Sequence, residues 1–150
     1  PADSPRRRQQ GIYAAYTYPV GTKKVKVILL DDRYFQDPLQ RDSVTKAYLP
    51  NPTGDILGEA QWQWLRQQLQ GSDADAHIIG SGIQFLPQQH RFEKWANFPA
   101  ARQRLLQLLT ETHPHGVLLI SGDRHIGEVS KLRVPGLRQP VLEITSSGLT

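Results

Sequence analysis

The stretch Val117-Leu118-Leu119-Ile120-Ser121-Gly122-Asp123-Arg124-His125 decides how this chain is read. From Val117 to Ser121 the residues are almost wholly apolar, with no polar residue alternating among them. That is the pattern of a strand covered on both faces in a central sheet. Gly122 has no Cβ, so the backbone can leave the sheet sharply there. Asp123 and His125 stand two apart, and an extended loop would point both to one side. A hard carboxylate oxygen beside an imidazole, at the end of a core strand, suits half of a hydrolytic metal site. The same residues also suit an Asp that caps a turn and a His that bonds locally, and so short a motif does not separate the two.

Upstream, Gly11-Ile12-Tyr13-Ala14-Ala15-Tyr16-Thr17-Tyr18 has strand composition, and Pro19-Val20-Gly21-Thr22 reads as a turn. Val25, Val27 and Leu29 alternate with lysines before the run closes at Leu30, which predicts a hairpin whose second strand enters the core. The charged cluster Asp31-Asp32-Arg33 follows directly, at a place where α/β proteins often carry functional groups. An Asp–Arg pair that merely pins the loop fits as well. Residues 36–55 are polar, hold Pro38, Pro50 and Pro52, and lack periodicity, which predicts a functional loop or surface excursion.

Glu59, Gln63, Arg66 and Gln70 form a polar stripe opposite Leu57, Ala60, Trp64, Leu65 and Leu69. This predicts an amphipathic helix that ends near Gly71, with Gln61 and Gln68 interrupting its apolar arc. A strand over 76–84 is broken by Gly80 and Gly82, and Gln84, His90, Arg91 and Glu93 follow in a loop. Pro99 opens a second helix with Ala101, Leu105, Leu108 and Leu109 on one face, and His113-Pro114-His115-Gly116 closes it. After the Gly122–His125 segment, residues 127–134 and Val141-Leu142-Glu143-Ile144-Thr145 form a closing hairpin. Strands separated by helices indicate an α/β layered domain.

Composition bounds the remaining choices. The chain has 150 residues, enough for one domain with a real core. It has no cysteine, which excludes disulfides and thiolate metal sites, and no run near the ~20 apolar residues of a membrane span. Net charge is +4, with the excess in Arg6, Arg7, Arg8, Lys23, Lys24 and Lys26. No aromatics interleave a basic helix, so a solvated basic surface is favoured over a nucleic-acid site. Residues 1–10 read as a flexible lead-in. With proline first and no methionine anywhere, the chain is expected to be a piece of a longer product.

Six segments in order resemble the alkaline phosphatase D family of metallophosphoesterases. They are Ile28-Leu29-Leu30-Asp31-Asp32-Arg33-Tyr34-Phe35; Leu57-Gly58-Glu59-Ala60-Gln61-Trp62-Gln63-Trp64-Leu65; Ser81-Gly82-Ile83-Gln84; Glu93-Lys94-Trp95 with Pro99 and Arg102; Ser121-Gly122-Asp123-Arg124-His125; and Glu143-Ile144-Thr145-Ser146-Ser147-Gly148-Leu149-Thr150. The resemblance implies part of a calcineurin-like layered β-sandwich flanked by helices, with metals at the strand ends. It implies hydrolysis of phosphomonoesters and phosphodiesters, with calcium and iron as the metal ions and an exported protein. On this match Asp123 and His125 are metal ligands, and Asp31, Arg33 and Gln84 are the catalytic candidates. Asp32 departs from the pattern, standing where the family more often has threonine.

The family's earlier metal motifs would lie upstream of residue 1. The chain is therefore expected to be the C-terminal half of such a catalytic domain, carrying part of the site and inactive alone. The alternative is a non-catalytic basic module that binds nucleic acid or another acidic partner.

Overall fold

Alternating apolar and lysine residues build the first hairpin of the computed structural model, which describes residues 3–148. Strand β1 (Ala14–Val20) pairs antiparallel with β2 (Lys23–Leu29), and Gly21 turns the chain at φ +60. The turn is two residues shorter than the sequence suggests, because Pro19 and Val20 still pair with Lys24 and Lys23. An edge strand tolerates proline, which has no N–H to offer the ladder. Leu149 and Thr150, the end of the sixth motif, and Pro1 and Ala2 of the lead-in lie outside the described residues.

The remaining elements are α1 (Gly58–Leu69), β3 (Ala76–Gly80), α2 (Pro99–Thr112), β4 (Val117–Ser121), β5 (Gly127–Leu132) and β6 (Val141–Ser146). They form one six-stranded sheet of order β1-β2-β3-β4-β6-β5. Strands β2, β3, β4 and β6 run parallel, and β1 and β5 close the two edges antiparallel. Parallel neighbours need a crossover, which α1 supplies from β2 to β3 and α2 from β3 to β4, while the chain passes from β4 to β6 by way of β5. Pro99 sits at the start of α2, where its missing N–H costs nothing, and His113 ends the helix in the left-handed region at φ +48.

Both helices pack on the same face of the sheet. Ile28, Ile79, Val117, Leu119 and Val141 join Trp62, Leu65, Leu69, Leu105 and Leu109 in a single core. The register explains the opposite face, since Leu29, Gly80, Ile120 and Ile144 stand side by side across four strands. Leu29, Ile120 and Ile144 are 42%, 38% and 41% exposed, and Leu142 and Val129 are exposed with them. The predicted double-sided burial of Val117–Ser121 is thus seen on one side only. An unbroken apolar run reports a strand made for two layers, and residues 3–148 contain one sheet.

The first helix is turned slightly from its expected face. Gln61 and Trp62 are buried while Ala60 is exposed. Residues 36–55 form no regular strand or helix beyond an isolated Arg41–Tyr48 bridge. They are pinned instead by Asp37 N–H to Asp55 O (2.9 Å), Asn51 N–H to Asn97 O (2.7 Å) and the Trp62 indole to Asp55 (2.8 Å).

The lysines of the β2 end are partly engaged by neighbouring groups. Lys23 and Lys24 pair with Asp75 and Asp73, and Lys26 donates to the Gln68 carbonyl at 2.6 Å. No helix of the described residues is long and apolar enough to cross a membrane.

Candidate active site

Four of the quoted motifs meet at the C-terminal ends of the parallel strands, where ligand sites of open α/β sheets gather. Ladder pairing runs past the strands themselves, with Leu30 N–H on Gly80 O and Ser81 N–H on Ile120 O, both at 2.9 Å. The loops after β2, β3, β4 and β6 therefore leave the sheet side by side.

After β4 the backbone makes a tight three-residue turn. Arg124 N–H donates to Gly122 O at 2.9 Å, with Asp123 at φ +69 and His125 at φ +52. The loop is thus not the extended one that the two-residue spacing suggests. Two non-glycine residues in the left-handed region cost on the order of 1–3 kcal/mol each, and such strain gathers at functional sites. His125 N–H is held by Ser147 Oγ at 3.0 Å, and the imidazole packs directly on Gly148. A Cβ at position 148 would lie 2.7 Å from His125 Cγ, so the Ser147–Gly148 pair is shaped to seat this histidine. Both Asp123 and His125 are exposed to solvent.

Beneath the turn lies a buried polar network. Gln84 is fully buried; its Nε2 donates to Thr145 Oγ1 (2.8 Å) and Glu128 Oε2 (3.0 Å). Its Oε1 accepts from Arg124 Nη1 at 3.4 Å. Glu143, only 1% exposed, accepts from Phe85 N–H (2.9 Å), Leu86 N–H (2.5 Å) and Ser121 Oγ (2.7 Å). Gln84 therefore supports the Asp123–His125 turn from below, through Arg124, with no side-chain atom open to the turn's outer face.

The loop after β2 divides its charges between two tasks. Asp31 accepts from the backbone N–H groups of Ile12 (2.8 Å), Arg33 (3.0 Å) and Tyr34 (2.9 Å). Burial pushes its pKa up, but those three donors outweigh the burial and hold it below the usual carboxylate range. Its backbone is gripped by Gln61, whose amide accepts from Asp31 N–H (2.8 Å) and donates to Asp31 O (2.7 Å). Asp32 is buried and takes Ser81 Oγ (2.8 Å), Gly82 N–H (2.7 Å) and Ile83 N–H (3.2 Å), tying the β2 loop to the β3 loop.

Arg33 alone of this trio reaches the rim. Burial works against its charge, but Glu93 at 2.6 Å, then Asp32 and Asp123, raise its pKa overall. Arg33 and Asp123 therefore share one electrostatic neighbourhood.

The structure thus brings Asp123, His125 and Arg33 to one rim, places Gln84 under it, and commits Asp31 to the loop backbone. Sequence reasoning missed Glu143, Thr145, Ser121 and Gln61. Glu143 stands two residues after buried Val141 on β6 and shares its face, a sign that its carboxylate points to the covered side. Among the described residues no group of three or more His, Cys, Asp or Glu side chains is arranged to hold a metal ion. Asp123 and His125 fit two positions of a hard-ion site by donor chemistry, an oxygen and an imidazole nitrogen on an exposed rim.

Comparison with known proteins agrees with this layout. The chain superimposes on a solved structure described as "Structure of PhoD" with a TM-score of 0.74 and 23% identity. That match covers 92% of this chain and 29% of the other, and the two share a fold. The family model for PhoD-like phosphatases matches residues 1–150, so the chain belongs to that family. Alkaline phosphatase D of Bacillus subtilis (strain 168) is 26% identical over 117 residues, which is 71% of this chain and 20% of that protein. The chain thus spans about a fifth of the length of this curated relative.

Proposed function

We propose that this chain is part of a metal-dependent phosphoesterase, acting on phosphomonoesters and phosphodiesters, and that it carries one portion of the active site. The observation that carries the reading is the strained turn at Asp123 and His125, seated on Ser147 and Gly148 and exposed at the C-terminal sheet edge. Membership of the PhoD-like phosphatase family supports the same chemistry.

Asp123 and His125 would hold the metal ions, for which the family suggests calcium and iron. When bound there, such ions supply Lewis acidity toward phosphoryl oxygens and make water a better nucleophile near neutral pH. The chain's own residues do the rest. Arg33, paired with Glu93, lies within electrostatic range of Asp123, and its charge is suited to orienting a phosphate oxygen. Gln84 and Arg124 keep the turn in register, and Asp31 shapes the loop that carries Arg33.

Two ligands do not complete a dinuclear site. The remaining ligands would come from other parts of a longer protein, and the 150-residue chain alone would be inactive. Export from the cytoplasm is proposed on the family likeness alone.

Asp123→Asn and His125→Ala, made in the full-length protein, test this. Turnover of p-nitrophenyl phosphate should fall by orders of magnitude while the unfolding midpoint stays close to wild type. Unchanged turnover in both variants would sink the assignment.

A further inference from the structure

We propose that Glu93 is a positioning residue: it holds Arg33 by one guanidinium nitrogen, so that the remaining edge takes two oxygens of the substrate's phosphoryl group. The assignment rests on the phosphoesterase reading of the Asp123–His125 turn. Arg33, Gln36 and Glu93 form a closed ring in which each side chain bonds to the other two. Arg33 Nη1 donates to Glu93 Oε2 at 2.6 Å and to Gln36 Oε1 at 3.3 Å, and Gln36 Nε2 donates to Glu93 Oε1.

Both bonds of the guanidinium fall on Nη1. Among the described residues Nε and Nη2 have no hydrogen-bond partner, and the Arg33 side chain is 52% exposed against 13% for Glu93. The Nε–H and Nη2–H bonds run parallel in one plane, the fork that meets two oxygens of a phosphate. Asp123 is among the charges that act on Arg33, which sets the guanidinium near the proposed metal-bearing turn.

The ring is anchored from both sides. Arg33 N–H is held by Asp31 Oδ1 at 3.0 Å. Glu93 is followed by Lys94 and Trp95, which are buried. Lys94 Nζ donates to the carbonyls of His90 (2.6 Å) and Phe92 (3.2 Å), and its N–H to Asn97 Oδ1 (3.0 Å). Trp95 N–H donates to Gln84 O at 2.9 Å. Glu93 therefore stands on fixed backbone. Arg124, the residue between Asp123 and His125, lies 4.5 Å over the ring of Phe92, so the loop that holds Arg33 also meets the turn's own arginine. An unheld arginine gives up rotamer freedom when a ligand binds, whereas the ring removes that freedom beforehand. A carboxylate that merely competed with phosphate for Arg33 would act in the opposite sense.

The test measures inorganic phosphate affinity by calorimetry, and kcat and KM on p-nitrophenyl phosphate, with the full-length protein. Glu93→Ala should raise the phosphate Kd and KM together by roughly tenfold, the scale of ordering one arginine side chain, with kcat changed less. Glu93→Gln, which keeps an oxygen for Arg33, should recover most of the loss. Gln36→Ala, which opens the ring away from the Lys94 anchor, should show a smaller loss in the same direction. In an Arg33→Met background, Glu93→Ala should change the Kd by less than about twofold. Tighter phosphate binding in Glu93→Ala overturns the assignment, because Glu93 is then a competitor. A lowered unfolding midpoint with unchanged Kd and KM overturns it too, as does a full effect that persists without Arg33. Each of these leaves the phosphoesterase reading standing when wild type hydrolyses the ester. A wild type that neither binds phosphate nor hydrolyses the ester overturns both.

Discussion

Glu143→Ala removes the carboxylate on which the loop after β3 hangs, and the structure sets the size of the effect. Glu143 is 1% exposed and accepts from two backbone N–H groups, Phe85 and Leu86, and from Ser121 Oγ. In the alanine variant both N–H groups lose the acceptor they use in this buried site. Hydrogen bonds to a charged group contribute roughly 1.5–3 kcal/mol each, and a stranded donor forfeits its full solvation. Two such losses, softened by water entering the vacated space, give a destabilisation of about 3–5 kcal/mol. Glu143→Gln should cost less, about 2–3 kcal/mol, since its oxygen still serves one N–H while its NH2 group faces the other. Urea denaturation at neutral pH, followed by tryptophan fluorescence, measures both. Trp95 reports on this region through its edge contact with Phe85, at 5.3 Å between ring centroids. A loss below about 1 kcal/mol for Glu143→Ala would refute the claim that this carboxylate holds the loop.

Two other perturbations bear on the same neighbourhood. Gly148→Ala places a Cβ 2.7 Å from His125 Cγ at a residue with φ +68, so it should displace the imidazole and weaken metal retention in the full-length protein about tenfold or more; unchanged metal content after dialysis would argue against the seat. The His90 pKa lies near 4 in the folded chain, against about 6.5 when unfolded. The unfolded state therefore takes up a proton first, and this contribution to stability is present above about pH 6.5 and lost as pH falls toward about 4. After allowing for solvent screening the loss should be about 1–2 kcal/mol, and the pH profile of His90→Gln should be flatter than wild type over that window.

Elements defined by local pattern were legible in the sequence. Pro99 marked the start of α2, and the Val25–Val27–Leu29 alternation marked a strand paired to its predecessor. The apolar run from Val117 to Ser121 located β4 and the turn that follows it. Legibility ended where residues distant in sequence meet. Gln61 grips Asp31 across 30 positions, and Glu143 reaches Phe85 across 58. Either residue alone resembles an interruption of an apolar face. The left-handed backbone at Asp123 and His125 was hidden for a different reason. Glycine announces such a conformation, whereas an Asp or His adopts it only when the surrounding contacts hold it there. Family resemblance named Asp123 and His125, and the geometry then showed Asp31 committed to its own loop and Gln84 buried beneath the turn.

Metal content measured together with p-nitrophenyl phosphate hydrolysis, on the 150-residue chain and on the full-length protein, tests the central claim most directly. Asp123 and His125 are proposed as part of a site completed elsewhere, so only the full-length protein should retain metal stoichiometrically and turn over. Asp123→Asn should then abolish both properties. Stoichiometric metal and hydrolysis by the 150-residue chain alone would contradict the shared-site assignment and place further ligands within these residues.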